Sequence, residues 1–190
     1  FPFASSIYFP TCEAILFEPL PKNYQRLIEN LSLNNVNIVK SYELALSDSK
    51  VNIFLDVSHG DSPPFITTEK SDRTIVVNTD TLDNLAREIP FHQLTLGKMD
   101  IEGAELLAFK CADTLLKSKT PPVWIIELLD KQDTDLKQFL ASYDFGLYLY
   151  DADSNTLKEA DLSQPSGDNF LAIANSELEW IRNRLNTSEE

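Results

Sequence analysis

The chain has 190 residues, 43% hydrophobic and 24% charged, an ordinary balance for a globular domain that can bury a core without disulfide or metal staples. Thirty acidic against 16 basic side chains give a formal charge of −14, which argues against nonspecific binding of nucleic acid or an anionic membrane surface. No apolar run approaches the ~20 residues of a membrane span. Cys12, Cys111, His59 and His92 share no metal-ligand spacing, so free thiols in a reducing, cytoplasmic setting are expected, with no metal.

Residues 1–13 contain no glycine, and Pro2 and Pro10 flank the short apolar stretch Ile7-Tyr8-Phe9. This opening does not read as one element, and an earlier segment is expected to be missing from the chain. Ala14-Ile15-Leu16-Phe17 is a continuous apolar run ending at Glu18-Pro19, the pattern of a buried parallel strand. Tyr24, Leu27, Ile28 and Leu31 then follow the i, i+3, i+4, i+7 spacing of an amphipathic helix that Asn34-Asn35 would close. Val36–Val39 begins a strand continuing towards Ala45.

Val51–Leu55 and Ile75–Val77 predict an inserted strand pair, separated by a loop over His59–Ser71 that holds Gly60, Pro63 and Pro64. A short helix is expected over Thr81–Leu85, with Thr79 or Asp80 as its N-cap. The run Leu94–Met99 predicts a strand and Leu106–Leu116 one continuous helix. Val123–Glu127 reads as another buried strand, Asp133–Ala141 as a helix and Phe145–Tyr150 as a strand. Asp151–Gly167 is polar and loop-like; Asn169–Ile173 would be the last strand and Ser176–Leu185 the last helix. That final helix either covers the sheet or meets a second subunit, which leaves a homo-oligomer open. The whole reads as a single α/β domain over residues 1–190.

Three predicted strands end in an acid: Glu18, Asp100 and Glu127. Ligands of open α/β sheets bind outside the carboxyl ends of strands, and like charges gathered there repel unless a ligand or base compensates. A carboxylate closing a strand of a nucleotide-binding βαβ unit can accept hydrogen bonds from two ribose hydroxyls, the role read for Glu18. Each of the three, taken singly, is more simply read as a solvated strand end; it is their number that points to a ligand.

The octapeptide Lys98-Met99-Asp100-Ile101-Glu102-Gly103-Ala104-Glu105 resembles the signature of the FkbM-type methyltransferases, which use S-adenosylmethionine. Phe17–Asn35, Ala45–Leu55, Thr79–Leu85, Val123–Leu129 and Asp168–Ile173 resemble further segments of that family in the same order, from about Ala14 to Ile173. The resemblance implies a Rossmann-like sheet, mostly parallel with its last strand antiparallel, carrying a β-hairpin insertion. The family's first strand and glycine-rich turn are not found before Glu18, so the domain reads as N-terminally incomplete, and Cys111 stands where the family often has glycine.

By the same resemblance Glu18 would hold the ribose of S-adenosylmethionine, and Glu43, Leu44 and Ala45 would pass near its adenine. Asp100 and Glu102 would line the pocket near the methionine end or the acceptor. Asp100 is the first candidate for a catalytic base and Glu127 the second, acting on a small-molecule hydroxylated acceptor such as a sugar or natural product. Asp100 can equally orient the cofactor or cap the following helix. Glu105 reads as a first-turn acid, and Lys98 as a sheet-edge lysine facing away from Met99. The rival reading is a non-catalytic interaction domain that keeps the sheet and has lost the cofactor, which the absent glycine turn favours.

Overall fold

Glu13–Phe17 form strand β1, and the chain leaves it through Glu18 into helix α1 (Pro21–Leu33). Proline suits the first helical position because its missing N–H would have no partner there. The computed structural model describes residues 13–34, 37–57, 65–67, 69–88, 94–101, 103–128, 133–162 and 169–186. The chain divides into two compact units, one ending at Asp80 and the other beginning at Thr81.

In the first unit β1 pairs in parallel with β2 (Asn37–Tyr42), with Phe17 opposite Tyr42. Leu31 of α1 is fully buried, and Tyr24 joins the helix to the end of β2 through a 2.8 Å hydrogen bond between its hydroxyl and Ser41 Oγ. The short strand β3 (Ala45–Leu46) pairs in parallel with β6 (Thr74–Asp80), and β6 is antiparallel to β4 (Asn52–Asp56). β4 also pairs antiparallel with β5 (Phe65–Thr67), so the expected strand pair is three antiparallel strands with β4 in the middle. The prolines and hydroxyls of residues 59–71 had masked that short strand; most of that stretch lies outside the described residues.

The second unit opens with α2 (Leu82–Leu85), capped by Thr81, whose hydroxyl accepts from Asn84 N at 3.1 Å. Neither predicted cap serves. Thr79 belongs to β6, where its hydroxyl donates to Ser49 O and accepts from Val51 N. Strand β7 is shorter than the apolar run suggests (Gly97–Met99) and lies parallel to β8 (Val123–Glu127). Between them the expected single helix is two: α3 (Glu105–Lys110) and α4 (Asp113–Ser118). Helix α5 (Asp133–Ser142) leads to β9 (Phe145–Asp151). Strand β10 (Thr156–Glu159) then folds back on β9 inside the predicted loop. Asp151 makes that turn by accepting hydrogen bonds from Asp153 N and Ser154 N.

The last strand, β11 (Asn169–Ala174), inserts between β8 and β9, antiparallel to both, and helix α6 (Asn175–Asn186) follows it. Phe109, Leu116, Ile126, Leu140, Phe145 and Phe170 are buried in this unit. Leu178, Ile181 and Leu185 of α6 pack on Tyr148, Leu157 and Ile173.

The described pairings are not all parallel, as the expected insertion and antiparallel last strand require. β1–β2, β3–β6 and β7–β8 are parallel, but the other five pairings are antiparallel. The β6-β4-β5 insertion, the β9–β10 hairpin and the placement of β11 between two strands each add antiparallel ladders. Nor do the three acid-tipped strands fall in one described sheet: β1 belongs to the two-stranded sheet, β7 and β8 to the five-stranded one. No helix among the described residues is long and apolar enough to cross a membrane.

Candidate functional site

In the first unit, the end of β1 holds Glu18 half-buried. Its backbone N–H donates to Tyr42 O at 3.1 Å, and its Oε1 accepts from Leu20 N at 2.8 Å. The carboxylate therefore also ties down the entry to α1, whose N-cap residue Leu20 has no side chain to do so. Burial pushes the Glu18 carboxyl above its ordinary value, and the Leu20 N–H only partly offsets this. Phe17 and Tyr42 stack across the ladder with ring centroids 5.4 Å apart, stiffening the neighbouring ends of the two strands.

Beyond Tyr42, Glu43 is exposed and Leu44 and Ala45 are half-buried. Glu43 and Leu44 line a cavity of about 420 Å³, together with Tyr42, Asn52, Asn78 and Asp80. Asp80 is buried, and Lys50 Nζ reaches its Oδ2 at 2.7 Å across the cavity wall. Sequence reading missed this ion pair. Its partners lie 30 residues apart, and only the pairing of β6 beside the start of β4 brings them together.

In the second unit, Asp100 and Glu127 stand at the carboxyl ends of neighbouring parallel strands, since Met99 is opposite Ile126. Lys98 Nζ lies 2.5 Å from Asp100 Oδ2. This lysine holds the Asp100 carboxyl below the ordinary range; partial burial opposes it, and a hydrogen bond with the Glu127 side chain adds to it. Lys98 does face away from the buried Met99, but it is an ion-pair partner rather than a lone edge lysine. The period-two rule that separated it from Met99 also places it on the same face as Asp100.

Glu105 is 5% exposed, and its Oε1 accepts from Ile101 N at 3.1 Å and Gly103 N at 3.3 Å. A buried acid thus folds the loop between β7 and α3 back on the helix start. Gly103 adopts φ +89, a conformation that glycine takes without steric cost. Glu102, His59, His92 and Cys12 lie outside the described residues.

A strand ending in an ion-paired aspartate, a glycine turn and an acid closing that turn are the structural counterpart of the octapeptide. A sequence-family model for the methyltransferase FkbM domain matches residues 1–147. The chain belongs to the FkbM methyltransferase domain family. A search of curated proteins finds no significant match. Among solved structures, the chain resembles the crystal structure of methyltransferase FkbM from Methylobacillus flagellatus KT, with a TM-score of 0.52 and 19% identity. That match covers 84% of this chain and 36% of the Methylobacillus protein, so the chain spans about a third of its length. The likeness is one of fold: a mixed α/β arrangement shared by this FkbM domain and that protein.

Proposed function

We propose that this FkbM domain serves an S-adenosylmethionine-dependent O-methyltransferase acting on a hydroxyl of a sugar or natural-product-like small molecule. The observation that carries the reading is Glu18: a half-buried carboxylate fixed by Leu20 N–H at the carboxyl end of a parallel strand. A ribose diol needs two acceptors side by side on a rigid support, and a strand-end carboxylate provides them. Family membership and the antiparallel placement of β11 between β8 and β9 further support a Rossmann-like methyltransferase sheet.

The first unit's residues fit the nucleoside. Glu18 would hold the ribose, while Glu43, Leu44 and Ala45 follow β2 beside a cavity within the size range of small-molecule pockets. S-adenosylmethionine, when bound, supplies an electrophilic methyl group on a sulfonium. In the second unit, the resemblance assigns Asp100 and Glu102 to the cofactor or acceptor pocket; Asp100 is the first candidate for a base at the acceptor hydroxyl and Glu127 the second. An aspartate held below the ordinary range is a weak base at neutral pH. Asp100 therefore works mainly by accepting a hydrogen bond from the acceptor hydroxyl and aiming its oxygen.

Calorimetric titration of the complete protein with S-adenosylhomocysteine tests the reading. One binding event is expected, weakened in Glu18→Ala by about 1.5–3 kcal/mol as a charged hydrogen bond is lost. No heat and no thermal shift with the wild-type protein would overturn it and favour a non-catalytic interaction domain.

A further inference from the structure

Several side chains lining the cavity beside Glu43 are already committed within the protein. Ser41 Oγ shares a hydrogen bond with the Tyr24 hydroxyl, Lys50 pairs with the buried Asp80, and the Thr79 hydroxyl lies between Ser49 O and Val51 N. Asn52 and Asn78 line the same cavity and are exposed, and their side-chain amides have no hydrogen-bond partner among the described residues. The two stand directly opposite one another in the antiparallel β4–β6 ladder. Opposed residues of such a pair project from one face of the sheet, with Cβ atoms about 4.5–5.5 Å apart. The cavity therefore offers a ligand two neutral amides side by side, each carried by a paired strand.

We infer that Asn52 and Asn78 read the nucleobase edge of a nucleoside in this cavity and make the site selective for adenine. The inference rests on the nucleoside site proposed above and adds to it the side chains that recognise the base. An amide presents a donor and an acceptor in one plane. Adenine presents the complement, a 6-amino N–H beside a ring-nitrogen acceptor. A few uncommitted polar groups in an otherwise satisfied pocket are what fix a ligand's orientation. The cavity also adjoins the residue assigned to the sugar: Tyr42, which lines it, accepts the Glu18 N–H through its carbonyl at 3.1 Å. A ribose held by Glu18 would thus sit one hydrogen bond away from a residue of the cavity wall.

Titration of the complete protein with adenosine and with purine riboside, which lacks only the 6-amino group, tests the inference by calorimetry and by the side-chain NH2 resonances of Asn52 and Asn78. The wild type is expected to bind adenosine about 3- to 10-fold more tightly than purine riboside, the worth of one neutral hydrogen bond. Adenosine is expected to shift the NH2 signals. Asn52→Ala and Asn78→Ala together are expected to weaken adenosine binding and erase the preference, with the thermal midpoint of the free protein unchanged. Absent adenosine binding, equal wild-type affinities, NH2 signals unmoved at saturation or a preference that survives both substitutions overturns the inference. The wild-type measurements decide even if the double variant fails to fold. Parallel titration with S-adenosylhomocysteine keeps the two readings apart. Absent S-adenosylhomocysteine binding with the adenosine preference intact sinks the methyltransferase reading alone, whereas equal S-adenosylhomocysteine affinity in wild type and double variant sinks this one alone.

Discussion

Gly97 and Trp124 face each other across the β7–β8 ladder so closely that a Cβ on Gly97 would lie 2.3 Å from the indole ring. The ring has little room to yield: it is 5% exposed, and Phe109 meets it edge-on with centroids 5.1 Å apart. Glycine here lets a large aromatic lie flat against the strand that carries Lys98 and Asp100. Gly97→Ala is expected to cost about 1–3 kcal/mol of stability through overpacking. Urea unfolding would show it as a lower midpoint with an unchanged slope. An unshifted midpoint would mean that Trp124 is freer to move than its packing implies.

The loop after Asp100 depends on Glu105. Removing its carboxylate leaves the N–H groups of Ile101 and Gly103 without their acceptor, so Glu105→Ala is expected to cost about 1–3 kcal/mol. Glu105→Gln retains an acceptor oxygen and should lose much less. Hydrogen exchange at those two amides is the direct check: faster in the alanine variant, close to wild type in the glutamine variant. Equal exchange in all three proteins would show that the loop holds itself.

What the sequence disclosed, and what it did not, divides along physical lines. Continuous apolar runs such as Ala14–Phe17 and Val123–Glu127 announced strands, and the spacing of Tyr24, Leu27, Ile28 and Leu31 announced α1, because burial of one face is written locally. The acids ending β1, β7 and β8 were legible for the same reason. The break between α3 and α4 was not: its cause, Asp83, lies about 30 residues upstream. β10 was hidden because its turn is made by polar side chains that look like loop, and Lys50–Asp80 because register brings those residues together. Lys98 was the avoidable miss, since a two-residue offset on a strand already implies a shared face.

Asp83 makes that helix break specific. Its backbone N–H donates to Cys111 O at 2.8 Å, while its carboxylate accepts from Asp113 N at 3.0 Å and Thr114 N at 2.9 Å. It thus does for α4 what an N-cap residue does, from a distant part of the chain. The local cap, Ala112, has no side chain able to bond. Asp83→Ala should lower stability by about 0.5–2 kcal/mol, the range for loss of a helix cap. Asp83→Asn, which keeps one acceptor oxygen, should recover part of it. Thermal unfolding of the three proteins is the measurement, and indistinguishable midpoints would show that water caps α4 equally well.

Glu18 sets stability against ligand binding. Its folded-state pKa is raised, chiefly by burial, so the fold favours the protonated carboxyl. For an acid shifted upward, the stabilising contribution is fully present below the unfolded pKa and is lost as pH rises through the folded value. At neutral pH the ionised Glu18 is therefore a cost to the free protein, and a ligand that hydrogen-bonds both oxygens would repay it. Glu18→Gln should raise the thermal midpoint at pH 7, with the gain shrinking as pH falls into the range where wild-type Glu18 takes up its proton. The same variant should bind S-adenosylhomocysteine more weakly by about 1.5–3 kcal/mol, because the charged acceptor is gone. Wild-type affinity should itself decline over that acidic range as the carboxylate protonates. A glutamine variant less stable than wild type at pH 7 would show that the Leu20 N–H bond, rather than burial, dominates this carboxylate.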